Sequence, residues 1–100
     1  TILELGAGAG ICGIVAAKAL ACPVLLTDKD EGVLENLRYN VTLNELQSSV
    51  KVMKLDWTSS VPMEVKESAP FKVILASDSI YPGKSIIATE AFFTTVALLL

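Results

Sequence analysis

Three alternating glycines near the start of the chain are the first residues whose type and spacing indicate chemistry. Gly6, Gly8 and Gly10 directly follow the apolar segment 2–5 and directly precede a run of small and apolar residues, 11–21. This order predicts a strand, a tight turn and a helix, which together hold nucleotide-like ligands in α/β proteins. Glycine permits the close approach that a Cβ atom would prevent, and the helix N-terminus offers unpaired N–H groups.

Glu4 makes this turn more specific, because it places a carboxylate at the end of the first predicted strand, two residues before Gly6. A carboxylate there repels a pyrophosphate and suits a ligand that carries an ammonium or sulfonium group. The segment 8–13 also matches G-x-G-x-x-G, so a nicotinamide dinucleotide is the rival ligand. Glu4 favours the sulfonium ligand. A third interpretation is that the glycines only tighten the turn between strand and helix.

A second carboxylate, Asp28, follows the second predicted strand and lies 22 residues after Gly6. From this position an acidic side chain accepts hydrogen bonds from both ribose hydroxyls of a bound nucleotide. Asp28 has an alternative role as the N-cap of the next helix, but Asp30 can take that position. The ribose contact is common to both candidate ligands and does not separate them.

Asp56 and Trp57 follow the third predicted strand, 50–55. In a doubly wound sheet the strand ends line the ligand crevice. A carboxylate there can accept the amino group of adenine, and an aromatic ring can pack on the base. A solvated turn with Trp57 in the core is the alternative interpretation.

The segment 77–81, Ser-Asp-Ser-Ile-Tyr, follows the fourth predicted strand, 71–76. The sequence then continues with Gly-Lys-Ser at 83–85, which resembles the end of a phosphate-binding P-loop. Residue 78, five positions upstream of this glycine, is Asp where a P-loop needs a second glycine. We therefore reject a P-loop at this position.

Strands and helices alternate along the chain, which predicts the α/β class. We expect a Rossmann-like, doubly wound parallel sheet in the order 3-2-1-4, with helices on both faces and right-handed crossovers. Lysines in the third strand indicate a place near the sheet edge, while the apolar fourth strand is of the buried parallel type. The predicted strands are 2–5, 24–27, 50–55 and 71–76, and the predicted helices cover 11–21, 31–40 with an extension to 43, and 85 onward.

Composition excludes several classes of function. A net charge of −3 without a basic block gives no support for nucleic-acid binding, and no membrane span is expected because no apolar run reaches eighteen residues. The chain has no histidine and no C-x-x-C, so no metal site is expected. Cys12 and Cys22 are expected to be buried in a reducing compartment, which predicts a cytoplasmic protein, with the nucleus as alternative. We expect residues 1–100 to form one domain that is truncated at both ends.

Five segments together resemble the class I (seven-β-strand) S-adenosylmethionine-dependent methyltransferases. They are I-L-E-L-G-A-G-A-G, L-L-T-D, V-L-E-N-L-R-Y-N-V, K-L-D-W and I-L-A-S-D-S-I-Y. The last contains a D-x-x-Y motif, which resembles that of the protein lysine methyltransferase branch. The resemblance implies S-adenosyl-L-methionine as cofactor. The residues that it assigns to the cofactor are Glu4, Gly6, Gly8, Gly10, Asp28, Asp56, Trp57 and Ser77.

The same resemblance places Asp78 and Tyr81 beside the site where the target side chain meets the methyl group. It implies methyl transfer to a lysine of a protein substrate, such as a translation factor or a chaperone. Methylation of another protein residue, of a small molecule or of a nucleic-acid amine is the alternative within this class, although D-S-I-Y lacks the prolines of the N-P-P-Y motif. An NAD-dependent oxidoreductase and a non-catalytic, structural domain are the alternatives outside it.

Overall fold

The computed structural model describes residues 1–81 and 83–100. Within these residues, four strands form one parallel sheet in the order β3-β2-β1-β4. The sheet order and the Rossmann-like α/β class are therefore as predicted. The elements are β1 (Ile2–Glu4), α1 (Ile11–Leu20), β2 (Val24–Asp28), α2 (Glu31–Leu43), β3 (Val50–Lys54), α3 (Met63–Glu67), β4 (Val73–Leu75) and α4 (Ile86–Leu99).

The sheet separates two apolar clusters, because successive residues of a strand point to opposite faces. Ile2 and Leu26 belong to the cluster that also contains buried residues of α1 and α2. Leu3 and Leu25 belong to the other cluster, which contains buried residues of α3 and α4. Helices therefore cover both faces, as predicted.

The sequence predicted the outer strand β3 correctly and the outer strand β4 only in part. β3 lies at one edge with Lys51 and Lys54 exposed, which confirms its prediction. The position of β4 at the opposite edge agrees with the predicted order, but the prediction that this strand is buried and covers 71–76 was wrong, because it covers Val73–Leu75 and Val73 is 44% exposed. Phe71 is buried outside the strand and donates its backbone N–H to the carbonyl of Leu99 (2.8 Å), so the chain before β4 pairs with α4.

The prediction of two buried cysteines was also wrong. Cys12 is exposed and Cys22 is partly exposed. Cys12 is the second residue of α1, and the helix turns its neighbours Gly13 and Ile14 towards the sheet instead. The segment between β3 and β4 contains the short helix α3. No helix among the described residues has the length and apolar character to cross a bilayer.

Helix α2 begins at Asp30, whose Oδ1 accepts the backbone N–H of Val33 (3.1 Å). This contact satisfies one of the unpaired N–H groups of the first turn. The capping role therefore falls to Asp30, as predicted, and Asp28 at the end of β2 is not needed for it.

Gly13 allows α1 to lie directly on the sheet. A Cβ atom at this position would overlap Leu26 Cδ2, and it would lie 2.6 Å from Glu4 Oε2 and 3.2 Å from Val24 Cγ1. The helix would have to move away from β1 and β2 to accept any side chain. Glycine is thus required here by packing rather than by its helical backbone.

We therefore expect Gly13→Ala to lower the free energy of unfolding by about 1–3 kcal/mol, because the extra methyl group overpacks the helix against the sheet. Urea unfolding followed by circular dichroism measures the change. Gly32→Ala in the first turn of α2 is the control: its Cβ would meet only the exposed Asp30 Oδ1 at 3.2 Å, and a change below about 1 kcal/mol is expected. Equal losses in the two variants would contradict the close packing of α1.

Candidate functional site

A cavity of about 230 Å³ lies at the carboxyl ends of the strands. Its walls come from the turns after all four strands and from the start of α4. The structure brings six of the ten predicted site residues to this cavity, namely Gly6, Asp28, Asp56, Trp57, Asp78 and Tyr81. Glu4, Gly8, Gly10 and Ser77 do not line it. The cavity therefore lies where parallel α/β sheets place their ligands.

The turn after β1 depends on glycine for two different reasons. Gly6 has a φ of 63°, and a Cβ there would lie 3.1 Å from Ser79 Oγ and 3.3 Å from Trp57 Cζ2, so space and backbone angle both disfavour a side chain. Gly8 has a φ of 56° and nothing within 4 Å of its Cβ position. The left-handed angle favours glycine, and the open space leaves this backbone accessible to a ligand.

Asp28 joins the end of β2 to the glycine turn. Its Oδ2 accepts the N–H of Gly8 (3.1 Å), and its Oδ1 accepts the N–H groups of Lys29 (2.8 Å) and Asp30 (3.2 Å). These three bonds orient the carboxylate before any ligand arrives, and the side chain is only partly buried. A carboxylate held in this way at the end of the second strand can accept two ribose hydroxyls.

Asp56 is fixed by a local turn after β3. Its Oδ1 accepts the Thr58 hydroxyl (2.7 Å) and the Thr58 N–H (2.9 Å). These two bonds hold the pKa of Asp56 below its usual 3.8, the hydroxyl contributing most. Within the described residues, Oδ2 accepts no hydrogen bond and is available to an amino group of a ligand.

Trp57 connects the cavity with the core. Its ring packs edge-to-face on Phe92, with ring centroids 4.9 Å apart at an interplanar angle of 68°. The same ring lies against Gly6 and lines the cavity. The sequence analysis left two roles open for Trp57, one in the core and one beside the ligand, and its position is compatible with both.

The D-x-x-Y segment is tied to the centre of the sheet by a residue that the sequence analysis did not single out. Ser79 is buried, and its hydroxyl donates to the carbonyl of Leu5 (3.2 Å), which connects the end of β4 to the end of β1. Asp78 has a φ of 54°, a left-handed angle that is uncommon outside glycine. Asp78 and Tyr81 are exposed, and both line the cavity.

Lys84 is a second residue that sequence reasoning missed. Its Nζ lies 4.6 Å from the ring centroid of Trp57 and 4.8 Å from that of Tyr81. No sequence pattern indicated this contact, because the only motif at Lys84 was the rejected P-loop. The observed geometry is that of an ammonium bound over two aromatic faces.

The charges around the cavity favour a cation. Three carboxylates, Asp28, Asp56 and Asp78, line it, against the two ammonium groups of Lys29 and Lys84. A pyrophosphate would be repelled by this arrangement, whereas a ligand with a positive charge would be attracted. No group of three His, Cys, Asp or Glu side chains with the geometry of a metal site is found among the residues that the structure describes.

Glu4 lies outside the cavity lining and faces α1. It is 2% exposed, its Oε2 accepts the N–H of Gly13 (2.8 Å), and its backbone carbonyl accepts the hydroxyl of Thr27 (2.7 Å). Burial raises the pKa of Glu4 above its usual 4.5, and the bond from Gly13 partly offsets this rise. The contact of Glu4 with the methionine end of a cofactor stays a prediction.

The comparison with known sequences identifies the family. The sequence model for the lysine methyltransferase family matches residues 1–97. The chain belongs to this family. It is similar to the protein-lysine N-methyltransferase rrg1 of Schizosaccharomyces pombe, with 40% identity over 87 residues. It is also similar to the protein-lysine N-methyltransferase EEF2KMT of Mus musculus, with 36% identity over 94 residues.

These alignments cover 79% and 81% of this chain but 28% of each relative, so the chain spans about a quarter of their length. Among solved structures, the glycopeptide N-methyltransferase MtfA complexed with sinefungin superposes with a TM-score of 0.78 at 16% identity. That superposition covers 99% of this chain and 41% of MtfA. The shared fold and the lysine methyltransferase family confirm the resemblance seen in the sequence.

Because Glu4 is buried, the stability of the folded chain should depend on pH. Because burial raises the pKa of Glu4 in the folded chain, this group contributes stability below about pH 4.5, where it is protonated in both states. That contribution is lost as the pH rises through the raised pKa, because the unfolded chain ionises first. The stability of the wild type relative to Glu4→Gln should therefore fall on going from acid to neutral pH.

Urea unfolding of both proteins across this range measures the difference. Glu35→Gln, which neutralises an exposed carboxylate of α2, should show no comparable trend. If the stability of the wild type rose relative to that of Glu4→Gln as the pH increased, the hydrogen bond from the Gly13 N–H would have a larger effect on the pKa of Glu4 than desolvation has.

Proposed function

We propose that this chain is the cofactor-binding part of an S-adenosyl-L-methionine-dependent methyltransferase that acts on a lysine side chain of a protein. One observation carries the proposal: residues from the ends of four separate strands, each predicted for this role, meet at a single acidic cavity. Membership of the lysine methyltransferase family supports it. A protein substrate of the translation-factor or chaperone class, met in the cytoplasm or nucleus, is part of the same proposal.

The residues of the cavity fit this cofactor. Asp28 offers an oriented carboxylate for the ribose, and Asp56 offers a free carboxylate oxygen for the amino group of adenine. Trp57 offers a ring on one wall, and Gly8, which lies outside the lining, has open space beside its backbone. The excess of carboxylates suits a sulfonium better than the pyrophosphate of a dinucleotide. This balance is why we favour S-adenosyl-L-methionine over NAD.

When bound, this cofactor supplies an activated methyl group, so the protein has mainly to align the acceptor and exclude water. A lysine amine reacts only in its neutral form, and a free lysine has a pKa of about 10.4. Asp78, which has a left-handed φ of 54° and lines the cavity, is the group that we propose to accept a hydrogen bond from the incoming amine. Tyr81 offers either its hydroxyl or its ring face to the same group.

Calorimetric titration with S-adenosylhomocysteine tests the cofactor class. We expect micromolar binding, and we expect Asp28→Ala to weaken it by about 10- to 100-fold, because a charged acceptor of hydrogen bonds is lost. Asp30→Ala is the control: it removes the cap of α2 at a cost of about 1 kcal/mol in stability but leaves the affinity unchanged, since Asp30 does not line the cavity. Binding of NADH instead would reverse the choice of ligand, and binding of neither would favour the non-catalytic alternative.

The role of Asp78 is tested by methyl transfer to the proteins of a heat-treated cell lysate. We expect Asp78→Asn to slow lysine methylation by about 100-fold while the affinity for S-adenosylhomocysteine stays unchanged, because the amine loses its alignment. Tyr81→Phe retains the ring and therefore separates its contribution from that of the hydroxyl. Glu35→Gln, a charge removal on the exposed face of α2, should change nothing. An Asp78→Asn protein with full activity would remove Asp78 from the mechanism.

A further inference from the structure

Lys84 lies inside the cavity but has no part in the proposed mechanism. Its Nζ is 4.6 Å from the centroid of the Trp57 ring and 4.8 Å from that of the Tyr81 ring. Lys29, the other lysine of the lining, makes no such ring contact among the described residues. The position of Lys84 therefore distinguishes it from its neighbours in the same cavity.

Two aromatic faces around one ammonium form the arrangement by which proteins bind ammonium and methylated ammonium groups. Tyr81 is also the residue proposed to border the target lysine. Trp57 is the ring proposed to pack on adenine, so the ammonium of Lys84 lies near both the cofactor side and the acceptor side of the cavity, and its side chain has to turn from Trp57 towards Asp78 to take the acceptor position. Asp78, proposed to align the target amine, lines the same cavity.

The backbone keeps Lys84 close to this place. Its N–H donates to the carbonyl of Tyr81 (3.1 Å), and Gly83, at a φ of 93°, completes the turn. A group tethered over three residues acts at an effective concentration of the order of millimolar or above. Lys84 therefore competes with any partner protein for the acceptor position without having to be bound first.

No carboxylate of residues 1–81 or 83–100 forms an ion pair with this side chain. Within the described part of the chain, the observed ion pair joins Lys54 to Glu31 (2.9 Å) and does not involve Lys84. The side chain is only partly buried, so it can rotate between the two rings and solvent. A lysine that is tethered near the site and not held by a salt bridge is well suited to react there.

We propose that Lys84 is a methyl acceptor of its own active site, so that the enzyme modifies itself at this residue. This inference rests on the proposed function. In the step, the lone pair of neutral Nζ forms a bond to the methyl carbon, and the carbon–sulfur bond breaks with its electron pair remaining on sulfur. The positive charge passes from sulfur to nitrogen, the neutral thioether is released, and the proton that Nζ gave up beforehand goes to solvent.

Mass spectrometry of the full chain, purified and incubated with S-adenosyl-L-methionine, tests this directly. We expect methyl groups on Lys84, with a first-order rate constant that does not change when the protein is diluted, because the acceptor is tethered. Lys84→Arg should abolish the modification. Lys29→Arg, which alters the other lysine of the cavity, should leave it intact.

A second measurement needs no cofactor. Trp57 is the single tryptophan of the sequence, so tryptophan emission reports on the surroundings of this one ring. Lys84→Met retains an apolar stem and removes the ammonium, and we expect it to change the emission of Trp57. Lys29→Met should not. Unchanged emission in Lys84→Met would overturn the placement on which the proposal stands.

The remaining outcomes separate self-methylation from the proposed function. An unmodified Lys84 in a protein that binds S-adenosylhomocysteine or methylates lysate proteins would overturn self-methylation and leave the proposed function intact. A protein that neither binds this ligand nor transfers methyl groups would overturn both. Methylation of Lys84 at a rate that rises with protein concentration would show transfer between two molecules and would overturn the intramolecular step.

Discussion

The parallel register of β1 with both of its neighbours is the constraint on which the site depends. Ile2 pairs with Val24 on one side and with Val73 on the other, so three strands start level and end at the same edge of the sheet. Each strand then delivers the side chains that follow it to that edge. Because β1 is central and short, Gly6, which follows it closely, reaches the cavity lining. Two hydrogen bonds secure the neighbouring Leu5, from the Leu5 N–H to the carbonyl of Leu75 (2.9 Å) and from the Ser79 hydroxyl to the carbonyl of Leu5 (3.2 Å).

The same strand contains an ionisable group in the core. Glu4 contributes its backbone to the sheet and points its carboxylate at the first turn of α1, where Gly13 donates to it. Helix N-termini stabilise negative charge, yet here desolvation has the larger effect on the pKa of Glu4. An apolar residue would be easier to bury at this position. The carboxylate, the turn and the helix therefore form one unit, and the absence of a side chain at Gly13 is what lets them meet.

The sequence predicted those features that follow from local order along the chain. Strand–turn–helix repetition predicted the doubly wound sheet, spacing predicted Asp28 and Asp56 at the strand ends, and the family resemblance predicted Asp78 beside them. Burial was predicted less well, because it depends on neighbours that are distant in sequence. β4 appears apolar enough for a central strand, but β1 is its single partner within the described residues. Cysteine is a residue type that is often buried, but α1 is oriented so that Gly13 and Ile14 face the sheet and Cys12 does not. Lys84 contacts both rings because the residues after β3 and the residues after β4 each lie beside the start of α4. No local sequence pattern encodes this arrangement.

Trp57 shows why stability and binding cannot be separated at this site. One side of its ring belongs to the core, because it packs on Phe92, which in turn packs on Phe93 at a centroid distance of 5.3 Å. The other side is a wall of the cavity and carries the ammonium of Lys84. Aromatic pairs of this kind contribute about 0.5–1.5 kcal/mol beyond the area that they bury, so the ring is held in place by α4 before a ligand arrives. A wall anchored in this way does not have to be ordered on binding, and the affinity that it offers to a planar base or to an ammonium is correspondingly greater. The cavity is thus shaped by the core behind it as much as by the side chains that face it.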